Sequence, residues 1–140
     1  MRNGQTHPKN YPWWNTVIEH IDEELVQVGI EGETQLVPDF RKNLSLTELA
    51  KLVENCDTWL SVDSFFQHFC WDLKKPGVVL WGQSDPLIFG HPENINLLKD
   101  RKYLREKQFW LWEQCEFNAD AFVAPEVVLE TLKQYGVKIK

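Results

Sequence analysis

The sequence predicts an α/β fold with a Rossmann-like, three-layer parallel sheet, and three observations carry that prediction. Helical patterns and short apolar runs alternate along the chain in the order helix, strand, helix, strand, helix, strand. The runs "TWLSV" and "VVLWG" are apolar nearly throughout, as expected of strands covered on both faces. Polar stretches follow the strands, two of them carrying glycine, where a chain leaves a strand for the next helix.

The elements follow in order. The opening dozen residues, with Gly4, Pro8 and Pro12, read as loop. Pro12 suits a helix entry, and "WWNTVIEHIDEE" places Trp14, Val17, Ile18 and Ile21 on one face. "LVQVG" is a short strand stopped by Gly29, and "GIEGETQLV" returns the chain to a second short apolar piece. Ser45 and Glu48 form a capping box, after which Leu46, Leu49, Leu52 and Val53 make a helical stripe ending near Asn55. "TWLSV" is a strand, "FFQHFCWDL" a helix, "KKPG" a break, and "VVLWG" a strand closed by Gly82. Further on, "INLL" reads as a strand and "EKQFWLWEQCE" as a helix in which Trp110 and Trp112 cannot both face inward. "PEVVLETLKQYG" is a final helix between Pro125 and Gly136.

Composition narrows the function. A chain of 140 residues, 43% hydrophobic and 26% charged, is sized for one globular domain spanning 1–140. Its net charge of −6 argues against nonspecific nucleic-acid binding, because no basic stripe is left for phosphates. Cys56, Cys70 and Cys115 form no CxxC pair, so neither a zinc site nor a disulfide framework is indicated, and a reducing compartment is expected. No window approaches the length of an apolar membrane span, and no signal-peptide core is visible, so the chain reads as soluble and cytoplasmic. Walker A, GxGxxG, GxSxG and HExxH motifs are all absent.

In an open parallel sheet, ligands sit beyond the carboxyl ends of the strands. "GIEGE", "DSFFQH" and "GQSDP" fall there. Asp63 and Ser64 open a helix whose free N–H groups and dipole suit an anion, and capping alone also accounts for both residues. His68 lies four residues after Ser64 on the same face, placed to reach a phosphate oxygen or simply to pack. Gly82 and Ser84 offer a second set of backbone and hydroxyl donors, although "GQSDP" also reads as an ordinary turn.

The stretch "SVDSFFQHFCWDLKKPGVVLWGQSDPLIFGHPENIN" resembles the C-terminal half of family 9 glycosyltransferases, the ADP-heptose:lipopolysaccharide heptosyltransferases and their relatives. The resemblance rests on Asp63-Ser64, His68, Pro76, Trp81-Gly82, Ser84 and Asp85-Pro86, in the family's order and spacing. "KNYP" at 9–12, the leucine-rich helix before "TWLSV" and, more weakly, "FVAPEVVLETL" extend it. It implies the donor-binding domain of a two-Rossmann (GT-B) enzyme that inverts the sugar without a metal or other cofactor. The implied substrate is a nucleotide-diphosphate sugar such as ADP-heptose, used in lipopolysaccharide biosynthesis. By position, Lys9 would contact the donor phosphates, Asp63, Ser64 and His68 the diphosphate and sugar, and Glu33 the nucleoside. The family's catalytic base and acceptor site belong to an N-terminal Rossmann half, expected in cis or trans, and this chain is expected to carry no catalytic residue. Phe65 stands where the family loop has glycine. The contrasting expectation, from a different class, is a noncatalytic interaction module using Phe65, Phe66 and "QFWLWEQ".

Overall fold

The computed structural model describes residues 7–140, so the Gly4 end of the expected opening loop lies outside the described residues. In chain order the helices are α1 (Trp14–Glu19), α2 (Leu46–Asn55), α3 (Phe65–Asp72), α4 (Pro86–Phe89) and α5 (Pro125–Gln134). The strands are β1 (Gln27–Gly29), β2 (Phe40–Lys42), β3 (Leu60–Val62), β4 (Val78–Trp81) and β5 (Ile95–Leu98). All pairings within the sheets are parallel, which makes the fold α/β and Rossmann-like, with a two-stranded sheet β1-β2 and a three-stranded sheet β3-β4-β5. The chain divides into two compact units.

One unit comprises residues 13–56 and 124–140. α2 starts at the predicted capping box: Ser45 Oγ accepts from the Glu48 N–H at 3.1 Å and bonds the Glu48 carboxylate at 3.0 Å. α1 packs on α5, burying Val17, Val128 and Leu132. The sequence reading gives only a short apolar piece at "QLV" before α2; that piece is loop, and the strand β2 forms after it, at Phe40–Lys42. The Gln27 side chain explains why. Its amide donates to the Thr34 carbonyl at 2.9 Å and accepts from the Leu36 N–H at 2.7 Å, fixing that stretch as loop.

The other unit, residues 7–12 and 57–123 of those described, holds the larger sheet. β4 is central, and all four of its residues are buried, as a two-sided parallel strand requires. Trp81 is fully buried, and its indole N–H donates to Asn96 Oδ1 on β5 at 2.9 Å. Gly82 ends the strand beneath the Phe122 ring; a Cβ there would fall 2.5 Å from a ring carbon. Tyr11 fills the same region, its hydroxyl donating to the Val123 carbonyl at 2.9 Å and its ring meeting Phe122 edge-on. After α3 the chain reverses at Lys74, which sits in the left-handed region with φ 58°, and "KKPG" is the predicted break.

Two segments depart from the prediction. "DPLIF" forms the short helix α4, with Asp85 as N-cap accepting from the Leu87 N–H and Pro86 at its first position. "EKQFWLWEQCE" is not a helix; only a 3₁₀ turn forms, at Trp112–Gln114. Four consecutive apolar residues, Phe109 to Trp112, cannot give one helix a buried stripe. The Gln108 side chain instead ties the segment to the end of β4, donating to the Gln83 and Arg105 carbonyls and accepting from the Asp85 N–H.

Candidate functional site

A cavity of about 390 Å³ opens at the carboxyl edge of β3 and β4. That size is within the range of about 300–1,000 Å³ usual for small-molecule sites. Lys9, Asp63, Ser64, His68 and Ser84 all line it, so five of the seven predicted site residues come together. Gly82 does not; it lies buried under Phe122. Glu33 belongs to the other unit, on the exposed turn after β1, with a carboxylate oxygen packed against the Gly29 α-carbon.

The β3 exit builds one wall. Lys9 Nζ lies 3.1 Å from Asp63 Oδ2, and the other Asp63 oxygen accepts from the Gln67 amide at 2.7 Å. Both carboxylate oxygens are therefore occupied. Ser64 Oγ turns to Ser61 Oγ at 3.3 Å. Neither side chain caps α3, contrary to the sequence reading, although Ser64 holds the N-cap position in extended backbone. The first-turn N–H groups of this eight-residue helix are thus left without a side-chain acceptor, as an incoming anion would need.

His68 is held from the far side. Its Nδ1 lies 2.8 Å from His91 Nε2, and His91 stacks on Trp71, so Nε2 is the nitrogen His68 can turn to a ligand. Burial, reinforced by His68 nearby, lowers the His91 pKa below the ordinary 6.5. That favours a neutral His91 beside a site suited to an anion.

The β4 exit forms the next wall. Ser84 is buried, and its hydroxyl has no hydrogen-bond partner. Asp85 is fixed beside it by a two-pronged pair with Arg101, at 3.0 and 2.7 Å, which lowers its pKa from the ordinary 3.8. Phe65 and Phe89 add to the lining, and the rest comes from Arg105 and, in the segment expected as a helix, from Gln108, Phe109, Trp110 and Trp112. Trp112 organises the cations, with the Arg105 guanidinium 3.5 Å and Lys9 Nζ 5.0 Å from its ring centre. His7 lies against the same ring; burial, then Lys9, lowers its pKa. Of the two tryptophans, Trp110 is half exposed and Trp112 less so, and both line this cavity.

The cavity at the switch from strand to helix is thus lined by hydroxyls and by Lys9 and Arg105. The family model for glycosyltransferase family 9 (heptosyltransferase) matches residues 7–115. The chain belongs to glycosyltransferase family 9. No curated protein and no solved structure matches it. The family match takes in all of the cavity's lining, including Arg105, which the sequence motifs did not single out, and Gln108 and Trp112, which the sequence offered only as part of the partner-binding segment "QFWLWEQ". Within this glycosyltransferase domain nothing in the basic stretch "RKYLREK" marks Arg105 out from its neighbours. No helix among the described residues is long and apolar enough to cross a membrane.

Proposed function

We propose that this cavity binds the diphosphate of a nucleotide-sugar donor, serving inverting, metal-independent transfer of a hexosyl or heptosyl unit. The observation that carries the reading is the convergence, in one cavity, of Lys9, the uncapped start of α3 and the unpartnered Ser84 hydroxyl. Negative charge grows on a leaving nucleoside diphosphate as the glycosidic bond breaks. Donors already in place stabilise that charge most in the transition state. His68 Nε2 and Ser64 serve as orienting contacts to the diphosphate and sugar. On this reading the acceptor and catalytic base are supplied by a Rossmann half outside these residues, and the nucleotide-sugar is a substrate, with no other cofactor. Use of ADP-heptose in cytoplasmic lipopolysaccharide assembly is the specific case that the family suggests.

Isothermal titration of the chain against ADP-sugars and UDP-sugars tests this reading. Saturable binding of at least one of them is the expected result. Absence of binding to every one, with the fold intact by circular dichroism, removes the donor site. One observation favours a second reading, a partner-binding module: Phe109 and Trp110 stand exposed on the rim of the cavity. A Phe109→Ser, Trp110→Ser chain that keeps full nucleotide-sugar binding assigns the rim to that separate role.

A further inference from the structure

Four buried side-chain polar atoms among the described residues have no partner, and two of them, Ser84 Oγ and Arg105 Nε, belong to residues lining this one cavity. Buried donors are ordinarily satisfied, so such a pair calls for an acceptor that arrives from outside. Arg105 is also held ready for one. Its planar group lies on Trp112, and its Nη2 donates to the Gln108 and Trp110 carbonyls, so the Nε edge is fixed and does not sweep through solvent. Its own backbone N–H donates to the Gln83 carbonyl at 3.1 Å, which ties it to the residue next to Ser84.

Charge points the same way. Lys9 and Asp63 form an ion pair, so together they bring no net charge to the cavity. Arg105 makes no salt bridge among the described residues and is a cation whose charge is not cancelled by a contacting carboxylate. The strands that lead to Ser64 and Ser84 are paired parallel neighbours, about 4.8 Å apart in the sheet direction. One diphosphate bridges such a gap, with one phosphoryl group on each exit.

We infer that Ser84 and Arg105 form a second anion subsite, which takes one phosphoryl group of the diphosphate while the start of α3 takes the other. This inference rests on the donor reading above. It makes Arg105 a selector for diphosphate over monophosphate, and Trp112 the residue that positions it. The ligand class is a nucleoside diphosphate or its sugar ester.

The test uses the 140-residue chain and four probes: inorganic pyrophosphate, ADP, UDP and AMP. Wild type should bind pyrophosphate and at least one nucleoside diphosphate more tightly than AMP. Arg105→Gln should weaken diphosphate binding by about ten- to a hundredfold, the size of a lost hydrogen bond to a charged group, and change AMP binding by less than about threefold. Ser84→Ala should weaken diphosphate binding by about fivefold. Arg105→Lys, which keeps the charge and loses the stacked plane, should fall between wild type and Arg105→Gln. Near-ultraviolet circular dichroism reports whether the Trp112 segment survives each change, and if it does not in Arg105→Gln, Ser84→Ala decides. Unchanged diphosphate affinity in both variants overturns the subsite and leaves the donor reading standing, as does an equal loss for AMP and diphosphates. A wild-type chain that binds no diphosphate overturns both together.

Discussion

Replacing Lys9 by alanine separates ligand binding from structure more cleanly than any other change at the site. Lys9 Nζ faces the cavity 3.1 Å from Asp63, a carboxylate whose side chain is only 7% exposed. Two effects follow, and separate measurements read them. A bound diphosphate loses a charge-assisted contact, about 1.5–3 kcal/mol, or about ten- to a hundredfold in affinity. The folded chain loses a comparable amount, about 1–3 kcal/mol, because one Asp63 oxygen is left buried without a partner while the other keeps the Gln67 amide. Titration calorimetry with ADP or UDP measures the first effect, and urea unfolding of the same protein measures the second. Lower stability with unchanged nucleotide affinity would refute a phosphate contact and reduce Lys9 to the counter-ion of Asp63.

Other perturbations probe the frame around the cavity. Trp81→Ala should destabilise the chain by about 3–5 kcal/mol in urea unfolding, since the ring is fully buried and bonded to Asn96; a loss under about 1 kcal/mol would contradict β4 as the core strand. Gly82→Ala should cost about 1–3 kcal/mol, because the new methyl meets the buried Phe122 ring, and Phe122→Leu in the same chain should recover part of it; thermal melts of the three variants check this. Asp85 has its pKa lowered below 3.8 by the Arg101 hydrogen bonds, so its contribution to stability is present above that pH and disappears as pH falls through the folded value. Asp85→Asn should accordingly be less stable than wild type at pH 7, with the difference shrinking in acid; a gap that stays constant down to pH 2 in urea titrations would show that the ion pair is not its source.

The parts of the fold that were legible are those where local chemistry and burial agree. The Ser45–Glu48 capping box, the buried run of β4 and the Pro125 entry to α5 each carry one signal, and nothing in the tertiary structure opposes it. β2 was missed because Phe40–Lys42 has one apolar residue, and its position is set by the Gln27 side chain bonding the Leu36 N–H nine positions on. The site divides along the same line. Asp63, Ser64, His68 and Ser84 sit in a motif whose spacing follows the strand–helix units, so their convergence could be read in advance. Their detailed roles could not, because Asp63 spends its oxygens on Lys9 and Gln67, more distant in sequence or in bonding habit than a cap. The placing of Arg105 and Trp112 was illegible because it depends on the Gln108 side chain, which folds the segment over the Ser84 turn through contacts more than twenty residues away in sequence.

Phe65 bears on how the loop meets a ligand. It follows Ser64 at the first helical position, more than half exposed, with its ring on Phe69 and its side chain on the cavity lining. Where the family pattern places glycine for close backbone approach, this chain therefore sets an aromatic side chain at the mouth and leaves the α3 N–H groups uncapped behind it.

The most direct measurement is a crystal structure of the chain with a nucleoside diphosphate bound. A diphosphate lying against the first turn of α3, within hydrogen-bond reach of Ser84 Oγ and Lys9, is the expected result; density for it outside this cavity would contradict the donor site.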